Sequence, residues 1–534
     1  MPRPIQTDDQ FTPEEARLLA PYFTNTDRPV FALVNLPETV KGALFARYSR
    51  SAKSLRRLFL DEFRADIPSD GEAAAAVGTA RADTLYARVF SDYGDDSVAQ
   101  LGSVHIACEG VSNLLTKVLE WGRLMAYLEQ STRYVPYTAK PHGRWKYHVP
   151  EEIAGTPLAS SYIDTLDRAF EVYARWIPVM EDHFRAKYPK SADDSDAVYR
   201  SVIRAKALDT LRGLLPAATT SNVGLFGTGQ AYEALLLRMF AHPLEEVRAH
   251  GTLILEELRK VIPAFMARVD HPDRGGRWVQ YLRDTREAVH QSVARVTHGI
   301  TAEAHSEVTL TEFDPDGETK VVASVLYAAS GLSDAQCLRI AETLSTGERV
   351  SLLNAYVGDR SNRRHKPGRA FERTKYRFDV LADYGAFRDL QRHRLLTLEW
   401  QPLSPDHGFI EPAAIEEAGA LNDWREVMRR SAALHAELTA AGFSDIAPYA
   451  VVMAYRVRFY MDMNAREAMH VIELRTAPQG HPSYRRVCQA MHTAISDVAG
   501  HHALARTMQF ADHSEVELER LQSERALEKK RAGR

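Results

Sequence analysis

Three clusters in the chain combine residue types that bind anions. The first is Arg392-His393-Arg394, shortly after Arg388. Planar guanidinium forks set close together at a helix end suit a diphosphate. A basic triplet is also what a solvated helix face carries, where paired charges contribute little. The second cluster is Asn464-Ala-Arg466-Glu-Ala-Met-His470-Val-Ile-Glu-Leu-Arg475. On a helix, Asn464 and Arg475 lie about three turns apart on one face, and Arg466 and His470 neighbour each other at i,i+4. Two guanidiniums, an amide and an imidazole make a polar wall for an anionic ligand. The plainer alternative is a helix packed by Met469, Ile472 and Leu474 with ordinary charged neighbours. The third cluster, Glu129-Gln130-Ser131-Thr132-Arg133-Tyr134, closes an apolar stretch. Hydroxyls and an arginine at a helix-to-loop junction suit a phosphate monoester, or simply a polar helix stop.

Other chemistries lack support. Cys108, Cys337 and Cys488 are far apart and odd in number, which excludes a disulfide framework and a CxxC metal pair. None has a nucleophile's context. Twenty histidines, His501-His502 among them, fall in no HExxH-type setting, so no metal site is expected. A net charge of -4 gives no basis for general nucleic-acid binding. No apolar run spans a bilayer, and Met1-Pro2-Arg3-Pro4 does not begin a signal peptide, so the expected location is cytoplasmic.

The elements that position these clusters must be spread over more than one core, because 534 residues exceed one ordinary domain. With 45% hydrophobic and 26% charged residues, the composition is globular rather than disordered. Thr12-Pro13-Glu14-Glu15 starts a short helix, and residues 40–65 have helical spacing. Leu114, Val118, Trp121, Met125 and Leu128 step by four, three, four and three, predicting one helix over 104–130. A loop follows at 133–150, then helices at 160–185 and 195–295. Val308–Thr311 and Lys320–Leu326 read as strands around an Asp314–Gly317 turn. After helices at 333–355, Tyr376, Phe378 and Val380 alternate as a strand, a helix carries Arg388–Leu398, and long helices reach about residue 510.

The second half repeats the first half's order of events. Pairing Trp121 with Arg392 gives an offset of 271, and pairing Arg238 with Arg475 gives 237. The division is therefore 1–300 for a first copy, 301–512 for a second, and 513–534 for a charged, helix-prone and solvated tail.

Together the clusters resemble the flavin-dependent thymidylate synthases. That family's pattern is an RHR helix, a short spacer and an EQSxRY-like segment. An H-x-S/T-x-x-E-H element lies upstream and an N-x-R-x3-(N/H)-x4-R helix downstream. The first copy carries Tyr93–Val98, Glu109–Ser112 and Glu129–Tyr134 in this order; the second carries Glu372, Arg392–Arg394 and Asn464–Arg475. The copies also depart from the pattern. Trp121-Gly122-Arg123 stands for RHR in the first, Gly227 and Gly229 stand for Asn and Arg, and Gln100-Leu101 for Glu-His. In the second, Trp400–Pro405 replaces the phosphate segment, and Asp389 replaces a glutamine.

The resemblance implies an α+β fold: two tandem copies of a mainly helical domain with a small antiparallel sheet. It implies methylation of dUMP to dTMP with methylenetetrahydrofolate, FAD and NADPH, at composite sites in a homodimer that mimics a tetramer. Arg123, Glu129, Gln130, Ser131 and Arg133 would bind nucleotide. Glu372, Arg392, His393, Arg394, Asn464, Arg466 and His470 would hold the cofactor, and Arg475 and Arg238 would act in catalysis. The alternative is a catalytically silent nucleotide- or flavin-binding paralogue.

Overall fold

The computed structural model describes residues 10–28, 31–48, 51, 53–64 and 100–532. Tyr93–Val98 lies outside them. Two compact units divide the chain: residues 1–108, 124–128 and 223–300 form one, and residues 109–123, 129–222 and 301–534 the other. A break falls at 300/301, but the first half of the sequence contributes to both units.

In the first unit, Thr12 caps the Pro13–Leu19 helix with Glu15 in a reciprocal capping box. Residues 38–63 are helical in pieces, Glu38–Tyr48 and Leu55–Leu58, the latter continued by a π turn Phe59–Phe63. The Gly229–Ala241 helix is capped by Thr228 and buries Leu235, Leu236 and Met239. The Arg277–Val296 helix follows, and none of its residues is buried.

The second unit is built on an antiparallel sheet ordered β4 (Val308–Phe313), β5 (Lys375–Asp383), β7 (Arg456–Asn464), β6 (Thr397–Trp400). Tyr376, Phe378, Val380 and Ala382 of β5 and Val457, Phe459, Met461 and Met463 of β7 all face the core, as period-two alternation requires. The Pro482–Asp497 helix packs on β4 and β5 through Val487, Cys488, Met491 and Ile495. Strands feed helices directly. Asp383, at the end of β5, caps Tyr384–Leu390, and Asn464, at the end of β7, caps Ala465–Arg475. Asp383 pairs with Arg456 and Lys375 with Asn464, so the two helices start from opposite ends of the neighbouring strands.

A second sheet has the order β1 (Ser103–Ser112), β3 (Thr220–Thr228), β2 (Met125–Glu129). Its element order repeats β5, β7, β6. Ser112 caps the Asn113–Leu119 helix as Asp383 caps Tyr384–Leu390, an offset of 383 − 112 = 271. Thr228 corresponds to Asn464 with an offset of 464 − 228 = 236. The α+β expectation therefore holds, and the two sheets share the order of three of their strands.

Several elements differ from the sequence reading. The apolar stripe at 104–130 is strand, short helix and strand, because the Ser112 cap starts a helix that ends at Leu119. Lys320–Leu326 lies within the Gly317–Ala329 helix, started by the Asp314–Gly317 turn. The helix carrying Arg388 stops at Leu390, which leaves Arg392-His393-Arg394 in the connection to β6. Strands β3 and β7 interrupt spans read as continuous helix. The second offset is 236, not 237, so Thr228 and Gln230, rather than Gly227 and Gly229, match Asn464 and Arg466. Arg238 falls one residue short of the Arg475 position. The tail is not merely solvated: Glu519 and Arg520 are buried, Lys206 Nζ lies 2.5 Å from Glu519 Oε1, and Arg525 pairs with Asp194 at 2.5 Å. Among the described residues no helix is long and apolar enough to cross a membrane.

Candidate functional site

The C-terminal ends of the Tyr384–Leu390 and Ala465–Arg475 helices meet in the second unit. Arg475 Nη2 donates to the Asp389 carbonyl at 2.5 Å, where a helix end is negative. Its Nη1 lies 3.6 Å from Asp389 Oδ1, and Arg392 Nη2 donates to that same oxygen at 2.5 Å. Arg212 Nη1 is 3.5 Å from Asp389 Oδ2. Burial alone would raise the Asp389 pKa, but Arg392, Arg475 and Arg212 outweigh it and hold the carboxyl far below its usual range.

Glu129 is the next link. Arg388 Nη2 donates to its Oε1 at 2.5 Å, while Lys117 Nζ and Arg392 Nη1 stand 3.5 and 3.7 Å from Oε2. Burial opposes ionisation here, yet Arg388, Lys117 and Arg392 bring the Glu129 pKa down to about 2. Lys117 also donates to Glu120 at 2.6 Å, and burial keeps Glu120 above its normal range. Seven cations, Lys117, Arg133, Arg212, Arg388, Arg392, Arg475 and Arg520, thus join four carboxyls, Glu120, Glu129, Asp209 and Asp389. Cations outnumber carboxyls in this network, and Arg388 Nε is buried without a hydrogen-bond partner. Such a surplus in a dry setting favours an anionic ligand.

The EQSxRY segment supplies one end. Arg133 Nε and Nη2 donate to the two oxygens of Asp209 at 2.8 and 2.7 Å, and Nη1 to Tyr484 Oη at 2.9 Å. Its guanidinium is therefore held by protein groups. Ser131 Oγ accepts from Arg133 N, and Gln130 N from the loop donates to Asn222 O. Arg123 Nη2 donates to Leu396 O and Thr397 Oγ1 at the start of β6.

The N-terminal part of the Ala465–Arg475 helix carries the other expected residues. Asn464 accepts from Glu467 N as a cap, so its amide is not one of a row of side chains along the helix. Arg466 donates to Pro367 O and lies 3.3 Å from Glu372. Buried His393 and Glu467 and half-buried His470 form a group whose candidate donor atoms lie within 4.8 Å of one another. Arg475 Nε donates to His393 Nε2 at 2.9 Å, which places the imidazole proton on Nδ1, 3.6 Å from Glu467 Oε1. The Nε2 lone pair of His393 is thus engaged by Arg475. Burial raises the Glu467 pKa to about 7 against the pull of Lys366, Arg466 and Arg394. Burial, aided by Lys366 and Arg363, lowers that of His470 to about 4. The helix is fixed from behind by Arg360, which donates to both oxygens of Glu473 and to Thr507 O.

The structure therefore brings Glu129, Ser131 and Arg133 into one unit with Arg392, His393, Arg394 and Arg475. Arg238 belongs to the other unit, half-buried in the Gly229–Ala241 helix. Lys117, Glu120, Asp209, Arg212, Arg388, Glu467 and Tyr484 were not selected from sequence. Only Arg388 and Asp389 carried a signal, at i−4 and i−3 from Arg392. Burial raises the Cys108 and Cys488 thiols to about 11 and 12, so neither is an activated nucleophile.

The sequence model of the family described as thymidylate synthase complementing protein matches residues 43–264 and again 309–500. A UPF0159 protein of Chlamydia muridarum is 37% identical over 526 residues, covering 97% of this chain and 99% of that protein. UPF0159 protein Ta1429 of Thermoplasma acidophilum is 31% identical, covering 91% and 97%. A flavin-dependent thymidylate synthase of Clostridium tetani is 24% identical over 184 residues, covering 33% of this chain and 67% of that protein.

Proposed function

The chain belongs to the thymidylate synthase complementing protein family, and on that premise we propose that it methylates dUMP to dTMP at one composite site per chain. The carrying observation is the arginine network, in which Glu129 and Arg133 of the first repeat join Arg388, Arg392 and Arg475 of the second. Its positive surplus fits an anion, and its donor set, planar guanidiniums close together, suits phosphate and diphosphate groups. Arg392, Arg394, Arg466 and His470 would bind FAD, with Glu372 and Asn464 fixing Arg466 and the helix start. Ser131, Arg133 and Arg475 would orient the nucleotide. FAD, reduced by NADPH, would supply the hydride, and methylenetetrahydrofolate the carbon. His393, held neutral by burial and by the adjacent Arg475, accepts from Arg475 Nε and keeps that guanidinium oriented.

A second reading, nucleotide or flavin binding without turnover, is favoured by how tightly Arg133 is held. Four of its five N–H donors go to Asp209, Tyr484 and Gln479, which leaves a single Nη1–H for a phosphate. Tritium release from [5-3H]dUMP by the purified chain, supplied with FAD, NADPH and methylenetetrahydrofolate, decides between them. Release that disappears in Arg392→Ala supports the synthase; flavin binding without release leaves the silent binder.

A homodimer completes the reading. The Arg277–Val296 helix has Trp278, Tyr281, Val289, Val293 and Val296 exposed along one side, an apolar stripe of the kind a second copy covers.

A further inference from the structure

The chain beyond residue 500 lies outside the family match, and it runs back over the Arg133 end of the arginine network. Residues 508–520 join the His502–Thr507 and Leu521–Ala532 helices. At one end of this connection, Asp512 N donates to Oγ1 of Thr476, the residue after Arg475, and Ser514 O accepts from Arg485 Nη2. At the other, Glu519 accepts from Lys206 at 2.5 Å, and Arg525 Nε and Nη2 hold the two Asp194 oxygens at 2.5 and 2.9 Å. The segment thus spans from the end of the Ala465–Arg475 helix to the Asp196–Leu211 helix, on which Leu521–Ala532 packs.

Arg520 lies within that span and is poorly compensated. Its guanidinium carbon stands 3.9 Å from the Tyr134 ring centroid, and its Nη2 3.8 Å from Asp209 Oδ2. That same oxygen accepts from Arg133 Nη2 at 2.7 Å, so one carboxylate serves two guanidiniums. Asp209 is the only carboxylate paired with Arg520 among the described residues. Arg520 is 5% exposed, and its Nη1 and Nη2 are buried without a hydrogen-bond partner. A buried cation short of counter-charge and acceptors is costly. The Arg525–Asp194 pair returns little against that cost, because the Arg525 side chain is 38% exposed and solvent screens it. Lys206–Glu519 is the firmer anchor, with both side chains largely covered.

We infer that residues 512–532 form a strap whose closure is coupled to an oxyanion at Arg133. Arg133 keeps a single Nη1–H for such an ion, because its other four donors are taken. An oxyanion there supplies the second negative charge that Arg133 and Arg520 lack. The terminal nitrogens of Arg520 are enclosed, so in the closed strap the ion acts on them through its field and not by contact. Without the ion the strap opens readily and Arg520 returns to water. With it the closed form is favoured, since a ligand shifts an equilibrium by its differential affinity for the two states. A phosphate monoester and free phosphate share this chemistry. The inference rests on the reading of Arg133 as an anion-binding residue and adds a moving element to it, visible without turnover.

Hydrogen–deuterium exchange of the full-length chain tests the strap, read by mass spectrometry on peptides from residues 515–532. Inorganic phosphate and dUMP serve as separate probes, and calorimetry reads whether each binds. Without a probe, Arg520→Met should exchange about tenfold more slowly than the parent, because it keeps the packing on Tyr134 and loses the buried charge. A bound probe should slow the parent about tenfold and leave Arg520→Met unchanged. An effect of phosphate equal to that of dUMP shows that the ion alone closes the strap, and an effect of dUMP alone assigns the monoester. Arg525→Ala, at the exposed end, should speed exchange and weaken the same probe, as reciprocity requires. That variant keeps the test valid should Arg520→Met misfold. Equal exchange of parent and Arg520→Met without a probe, or faster exchange in Arg525→Ala with unchanged affinity, overturns the inference. Binding of neither probe sinks the anion reading of Arg133 and the coupling with it, whereas binding without slowing sinks the strap alone.

Discussion

Lys117 and Arg388 stand 271 residues apart, at the same position of two strand–cap–helix repeats, and both close on Glu129. The Arg388 contact is 2.5 Å and the Lys117 contact 3.5 Å. The helices that carry them pack together: Tyr384 Oη donates to Asn113 O and Gln391 Nε2 to Lys117 O. Repeat meets repeat as identical subunits meet in an isologous dimer, yet the symmetry is broken in its side chains. Arg392 lies 3.7 Å from Glu129; the equivalent residues at the same offset, Trp121 and Trp400, are an edge-to-face aromatic pair 5.8 Å apart. One of two related contacts keeps its charges, and the other has become apolar.

That asymmetry sets a stoichiometry. One flavin per chain is expected, not two, read as bound FAD absorbance against protein concentration. Arg392→Ala removes a charged donor from the retained side and should weaken flavin about 10- to 100-fold. Trp121→Ala should leave the flavin stoichiometry unchanged. Two flavins per chain would show that the tryptophan side is also a site.

Glu129 is expected to be the most costly single change in the network. Glu129→Ala leaves Arg388 buried without its carboxylate partner and Lys117 with Glu120 alone, and removing one partner of a buried pair costs about 3–5 kcal/mol. Urea denaturation with an unchanged m-value is the measurement. A loss under about 1 kcal/mol would mean that water reaches these groups.

Much of this was readable in the sequence where the period was short and local. Tyr376, Phe378 and Val380 alternate because one face of β5 is core, and Thr12 announced its helix through the capping box. The stripe from Leu114 to Leu128 misled because strand and helix faces both turn toward apolar surroundings, and four-three spacing cannot report the Ser112 cap. The arginine triplet and the Asn464–Arg475 segment were visible as residue types. Their partners were not, since Arg133 meets Asp209 across 76 residues and Arg388 meets Glu129 across 259. Which of two related contacts stays charged, Arg392–Glu129 or Trp121–Trp400, is likewise set between residues far apart in the chain.

Glu467 should imprint itself on the pH dependence of stability. Its folded pKa, about 7, lies above the unfolded value near 4.5. The folded state therefore holds a proton that the unfolded state releases. Its contribution is fully present below about pH 4.5 and is lost as pH rises to about 7, by on the order of 3 kcal/mol. His470 acts oppositely: its pKa is lowered to about 4, and its contribution is lost as pH falls from about 6.5. Comparing Glu467→Gln with the parent isolates the carboxyl. The variant should gain melting temperature relative to the parent between pH 5 and 7.5, and parallel curves over that window would count against a protonated Glu467.

The exposed stripe on the Arg277–Val296 helix yields the last expectation. Trp278 and Tyr281 are 56% and 63% exposed, and Val296 is 73% exposed, while Arg283 and Arg286 of the same helix donate to the carbonyls of Phe240 and Ala241. The helix is thus anchored through polar contacts and turns large apolar groups outward, an arrangement that costs solubility unless a surface covers it. With a second copy as that surface, light scattering should give a dimer of 60.0 kDa chains. Trp278→Glu together with Val289→Glu would place charges in the contact and should shift the mass to one chain without lowering the melting temperature of the monomer. A wild-type monomer at micromolar concentration would remove the dimer from the proposed function, while leaving the single-chain arginine network as it stands.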